Sequence, residues 1–69
     1  MKISACNQIP GKVVEVIKGA TTAHVKIGVG GGTIITASIT NEAVDDLRLK
    51  SGGPATAIVK ASDVMVGVS

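Results

Sequence analysis

The sequence predicts a small all-β barrel of about five strands with one short helix. Valine, isoleucine and threonine recur in short runs, and glycine-containing segments separate these runs. Phe, Tyr and Trp are absent, although 45% of the residues are hydrophobic. A chain of 69 residues has room for one domain, so we expect residues 1–69 to form a single unit.

The first two strands flank a predicted turn at Lys18, Gly19 and Ala20. Residues 11–17 alternate imperfectly between apolar and polar side chains, as we expect of a strand with both faces partly covered. Residues 22–27 alternate cleanly, with aliphatic side chains at every second position. This second strand is therefore predicted to bury one face only.

A glycine-rich segment, residues 28–32, precedes the third strand. It lacks the Gly-Lys-Ser/Thr ending of a phosphate-binding loop, and no helical pattern follows it. We therefore predict a hairpin connection. The third strand, residues 35–40, alternates aliphatic side chains with hydroxyl side chains.

The period of the pattern changes after Thr40. Residues 40–47 begin with a capping residue and carry an acid in the first turn, which predicts a helix of at most two turns. Ala43, Val44 and Leu47 are expected on its apolar side.

Two further strands are predicted at residues 55–60 and 64–68, after a loop that ends at Pro54. Five strands with a short helix between the third and the fourth are typical of a partly open Greek-key barrel. The predicted architecture is therefore of the oligonucleotide/oligosaccharide-binding (OB) type.

The composition indicates a self-associating protein. Cys6 is the only cysteine and His24 the only histidine, so neither an intrachain disulfide nor a structural zinc site is expected. Because so small a domain buries little of its own surface, the high apolar content favours an obligate homo-oligomer.

Several other classes of partner are disfavoured. The net charge is only +2, the lysines are scattered, and there are no aromatic rings on which bases stack, so no nucleic-acid partner is expected. No signal peptide and no apolar run near the roughly 20 residues of a membrane span are present. With an unpaired cysteine, these features predict a cytoplasmic protein without a membrane partner.

Catalysis is also disfavoured. His24 has no serine or cysteine near it in sequence, and the adjacent Asp45 and Asp46 are predicted to diverge on a solvated helix face. Asp63 is expected in a turn. We therefore predict that the protein is not an enzyme.

The polar residues instead suggest a site for a small oxyanion. Ser4, Asn7, Lys60 and Thr40 with the helix start behind it offer hydroxyl, amide, ammonium and backbone N–H donors. Spacing alone leaves simpler roles open. Thr40 would then be only an N-cap, Ser4 part of a frayed terminus, and Lys60 a solvent-exposed edge residue.

Motifs at the two ends of the chain resemble those of the molbindins, the Mop-type molybdate-binding proteins. They are Ser-Ala-Cys-Asn-Gln at residues 4–8 and Lys-Ala-Ser-Asp-Val-Met at residues 60–65, supported by residues 11–14 and 18–20. The resemblance covers essentially the whole chain. It implies a compact β-barrel, assembled as a hexamer of three dimers, that binds molybdate or tungstate at subunit interfaces and needs no organic cofactor.

The same resemblance implies two classes of oxyanion site. The first class would use Ser4, Cys6, Thr40, the backbone N–H of Ala43, Lys60 and Ala61. The second, near the three-fold axis, would use the turn of Lys18, Gly19 and Ala20, together with Asn7. None of these residues would be a direct protein ligand of the metal.

Cys6 departs from the family motif, which has arginine at this position. A thiol is a weak donor, and loss of a charge-assisted hydrogen bond to a buried oxyanion costs about 1.5–3 kcal/mol, or about tenfold to a hundredfold in affinity. Storage and buffering of molybdate is the first hypothesis. A structural oligomerisation module with weakened sites is the second, and a metal-ligand or redox role for Cys6 also stays open.

Overall fold

The computed structural model describes residues 2–69, and its main element is one curled antiparallel sheet. The elements are β1 (Asn7–Lys18), β2 (Thr22–Gly28), β3 (Ile34–Thr40), the helix α1 (Asn41–Asp46), β4 (Pro54–Val59) and a single 3-10 turn (Ala61–Asp63). The strand order is β3-β2-β1-β4, so β3 and β4 form the two edges. The predicted all-β class with one short helix is confirmed.

A β-bulge interrupts β1 between Val13 and Glu15. Val13 is buried, whereas the next side chain, Val14, is 53% exposed. The loop before β4 bonds to both sides of the Val13 backbone: the Val13 N–H donates to the Gly53 carbonyl and the Gly52 N–H donates to the Val13 carbonyl, both at 2.8 Å. The explanation of the imperfect alternation by two partly covered faces is therefore wrong. The extra residue of the bulge shifts which side chains point inward.

The core is entirely aliphatic and centres on β2. The clean alternation of this strand is confirmed, because every second side chain from Ala23 to Ile27 is buried. The helix adds Val44, which is 3% exposed. Small aliphatic side chains fill this narrow space without aromatic rings. The buried cluster comprises Val13, Ala23, Val25, Ile27, Val44 and Ala57.

The glycine-rich segment forms the hairpin connection between β2 and β3, as predicted. The Val29 N–H donates to the Thr33 carbonyl at 3.0 Å. Gly30, Gly31 and Gly32 all adopt positive φ angles of 103°, 62° and 80°. Only glycine adopts consecutive conformations of this kind at little steric cost, so the run is explained by backbone geometry.

Helix α1 begins with the predicted cap. Thr40 is extended, and its Oγ1 accepts a hydrogen bond from the Ala43 N–H at 3.0 Å. The expectation for the apolar side holds for Val44, but it is wrong for Leu47, which is 65% exposed. The helix ends at Asp46, so Leu47 lies beyond its last turn as the C-cap residue.

The predicted fifth strand does not form within the described chain. Residues 64–68 pair with no strand of residues 2–69, and Val66 and Val68 are 90% and 96% exposed. A strand exists only where a neighbouring edge supplies hydrogen bonds, and no edge of the same chain does so here. The barrel is therefore open on this side.

For residues 2–69, the structure contains no helix with the length and apolar character of a membrane span.

Candidate functional site

The predicted oxyanion-binding residues fall into two groups at opposite ends of β1. In the β1–β4 register, Asn7 lies opposite Val59. Cys6 directly precedes Asn7 and Lys60 directly follows Val59, so both residues lie at the same end of this strand pair. We call Ser4, Cys6, Lys60 and Ala61 the amino-end group. The helix-end group comprises Lys18, Gly19, Ala20, Thr40 and Ala43.

Asn7 ties the two segments of the amino-end group together. Its Nδ2 donates to the Val59 carbonyl at 3.1 Å, directly before Lys60. All four members of the amino-end group are exposed. Within one chain, Asn7 lies at the opposite end of β1 from the turn at Lys18, although the resemblance associates it with that turn. Its observed contact gives it a structural role beside Cys6.

The helix-end group is held together by hydrogen bonds between the β1–β2 turn and α1. Asn41 donates from its backbone N–H to the Thr21 carbonyl at 2.9 Å and from its Nδ2 to the Gly19 carbonyl at 3.0 Å. The Lys18 ammonium lies 2.6 Å from Oδ1 of Asp45. The turn and the start of the helix therefore form one bonded unit.

Thr40 acts as a helix cap in this chain, as the simpler interpretation of it predicted. Because its Oγ1 accepts from the Ala43 N–H, the hydroxyl hydrogen is still available for donation. The Ala43 N–H, in contrast, is already engaged. Ala43 contributes to an oxyanion site only where that hydrogen bond is shared or released.

One chain cannot bring the two groups to the same ion. They are separated by the length of β1, which has 12 residues and rises about 3.3 Å per residue. Even with the bend at the bulge, this separation is on the order of 20–30 Å. Donors to one oxyanion must each lie about 3 Å from its oxygens. A site that combines both groups therefore needs residues from two chains.

The charges of the two groups differ. Among the described residues, Lys60 forms no ion pair, whereas Lys18 is engaged with Asp45. Residues 2–69 contain no cluster of three or more His, Cys, Asp or Glu side chains suited to a metal ion, so the metal-ligand hypothesis for Cys6 gains no support. The ammonium of Lys60 is the free cation of the amino-end group.

Asn41 and Asp45 are neighbours of the site that the sequence did not reveal. Asp45 was expected on a solvated face, and it is exposed, but it also contacts Lys18 across 27 positions of sequence. Asn41 carries a buried Oδ1 without a hydrogen-bond partner among the described residues. No local pattern marks either residue, because both contacts depend on how the turn meets the helix.

An apolar groove of about 560 Å³ has walls from β2, β3, β4 and the segment after α1, including Ile35, Leu49 and Ile58. Apolar surface of this extent is typical of an interaction site.

Known proteins share both the sequence and the fold. The TOBE domain family model matches residues 3–66. A probable molybdenum-pterin-binding protein of Haemophilus influenzae is 48% identical over 68 residues, which cover 99% of both chains. The solved structure of MopII from Clostridium pasteurianum has a TM-score of 0.89 and 45% identity, and the match covers 97% of this chain and 100% of MopII.

A second solved structure is that of the cytoplasmic molybdate-binding protein ModG with molybdate bound. Its TM-score is 0.94 at 43% identity, and the match covers 100% of this chain and 49% of the ModG chain. These relatives are named as binding proteins, not as enzymes. The resemblance to the molbindins and the OB-like fold are both confirmed. The chain belongs to the TOBE domain family, in which it is a relative of the molybdenum-pterin-binding proteins.

Proposed function

We propose that this protein binds and buffers molybdate, or tungstate, in the cytoplasm, at sites formed between the subunits of a homo-oligomer. The observation that carries the proposal is the division of the donors between the two ends of β1. For the first class of site, each end offers part of the donor set and neither is complete. The second class of site is proposed at the turn of Lys18, Gly19 and Ala20. Relatives that bind molybdate share this fold over the whole chain.

The donors suit a tetrahedral dianion. The Lys60 ammonium supplies charge, and the Ser4 and Thr40 hydroxyls supply directed hydrogen bonds. The Ala43 N–H adds a further donor near the helix start when it is released from Thr40. Binding of this kind is reversible and involves no covalent step, so the protein sequesters the ion and releases it when its free concentration falls.

Assembly follows from the apolar surfaces of the chain. The groove is uncovered, and Met65, Val66 and Val68 are each at least 90% exposed. We propose that residues 64–68 of one chain cover the groove of another, and that residues 1–69 act as one domain. The resemblance implies a hexamer of three dimers. Because oxyanions bind only the assembled form, they would also stabilise the assembly.

We further propose that the ion is bound without an organic cofactor. The names of the relatives mention a pterin, but this chain has no Phe, Tyr or Trp on which a fused ring would stack. Its single histidine, His24, is exposed and lies in a shallow recess with Ile17, Gly19 and Thr22. Among these lining residues, only Thr22 carries a hydroxyl group. The same features argue for a binding protein without catalytic activity and without a nucleic-acid partner.

Calorimetric titration with molybdate, tungstate and sulfate tests the proposed function, with the mass in solution measured in parallel. We expect heat with molybdate and with tungstate. An assembled protein that gives no heat with either ion would overturn the proposal. That result would favour the second candidate function, a structural oligomerisation module, for which the replacement of arginine by Cys6 is the supporting observation.

Cys6→Arg is expected to tighten molybdate binding about tenfold to a hundredfold, because it adds a charged, forked donor beside Lys60. The same titration measures the effect. Cys6→Ser is the matched control, since it changes the donor without adding charge, and a shift of less than about fivefold is expected. Equal affinities for Cys6→Arg and the parent chain would remove position 6 from the site.

A further inference from the structure

The contact between Lys18 and Asp45 has a consequence for the second class of site. The Lys18 ammonium is the only charged group in the β1–β2 turn, residues 18–21. Asp45 holds it at 2.6 Å from across the helix-end group. An oxyanion bound at this turn would use the Lys18 ammonium, which the Asp45 carboxylate already contacts.

Helix stability does not explain the position of Asp45. The carboxylate lies near the carboxyl end of α1, where the helix dipole disfavours negative charge. The six-residue helix also has no basic residue in its last turn to offset the charge. The partner of Asp45 comes instead from the turn. The two side chains are 46% and 67% exposed, so an incoming anion can exchange with the carboxylate.

We infer that Asp45 sets the oxyanion affinity of the β1–β2 turn by competing with the anion for Lys18. This inference rests on the proposed function and names a residue that regulates one class of its sites. Asp45 does not contact the ion. It weakens binding at the turn by occupying Lys18 and by placing a like charge near the dianion.

Asp46 provides a matched control. It is the next residue of the same helix, it is exposed, and it forms no ion pair among the described residues. Asp45→Asn and Asp46→Asn therefore remove the same charge from the same helix end. Only the first of these substitutions releases Lys18.

The test uses chains that also carry Lys60→Ala. Any remaining heat of molybdate binding then comes from the site at the β1–β2 turn. At low ionic strength, Asp45→Asn is expected to tighten this binding about threefold to tenfold. Asp46→Asn and Asp45→Glu are expected to stay within about twofold of the parent. Mass in solution shows whether each variant assembles.

Each contrary outcome has a distinct meaning. Equal effects of Asp45→Asn and Asp46→Asn, or weaker binding with Asp45→Asn, would overturn the competition. Loss of all heat on Lys60→Ala, with heat from the unsubstituted chain, would remove the turn site and overturn this inference alone. Absence of heat from the assembled, unsubstituted chain would overturn the proposed function itself.

Discussion

Removal of residues 64–69 is expected to leave the chain monomeric and to abolish the proposed oxyanion binding. These residues make no strand within the described chain. Met65, Val66 and Val68 are each at least 90% exposed, and Val64 is 52% exposed. Burial of one such side chain on a partner contributes about 1.5–3 kcal/mol. Loss of Val64, Met65, Val66 and Val68 therefore removes a large part of the energy of association. Sedimentation and molybdate titration of the truncated chain measure the two effects.

Removal of Ser69 alone is the control, because it leaves the apolar residues in place. We expect this shorter truncation to keep the mass and the affinity of the full chain. Val66→Asp is a second probe with the same expected direction as the large truncation, since it puts a charge on an apolar interface. A chain that ends at Asp63 but keeps its mass and affinity would show that the groove is covered in another way.

Gly11→Ala is expected to lower the free energy of unfolding by about 3 kcal/mol. A Cβ atom at this position would lie 2.3 Å from the Gly28 carbonyl oxygen and 3.1 Å from Cγ2 of Ile27. The first of these atoms is backbone in the neighbouring strand, so relief of the overlap requires the β1–β2 pair to separate. Thermal and denaturant unfolding at a fixed protein concentration measure the loss.

Lys12→Ala is the control for Gly11→Ala. It also places alanine in β1, at the next position, where the native side chain is exposed and forms no ion pair among the described residues. Its unfolding midpoint is expected to stay close to that of the parent, whereas that of Gly11→Ala should fall by more than 10 °C. Equal midpoints would contradict the close approach of the two strands.

The parts of the fold that depend on local chemistry could be predicted from the sequence. The cap at Thr40 and the glycine hairpin follow from the backbone conformations that these residues favour. The buried face of β2 follows from strict alternation. The bulge in β1 could not be predicted, because it depends on the bonds that Gly52 and Gly53 make with Val13.

The same distinction applies to the site. The residue types suggested some of the candidate donors, and the resemblance added the others. The sequence does not indicate that Lys60 and Thr40 lie beside opposite ends of β1. Their separation depends on the strand order and on the register of β1 with β4. The apolar pattern at residues 64–68 predicted a fifth strand, and that prediction is wrong for the described chain. The pattern marks residues that suit a strand, but it contains no information about whether a neighbouring edge is available to pair with them.

The proposed division of the donors along β1 has a consequence for mixtures of intact and defective subunits. When each ion is bound by the amino-end group of one chain and the helix-end group of another, a chain that lacks donors disrupts pockets that it shares with intact chains. A chain altered in the amino-end group and a chain altered in the helix-end group can still complement each other. When they pair, their two unaltered groups form one complete pocket. The number of working pockets in such a mixture then depends on which subunits meet.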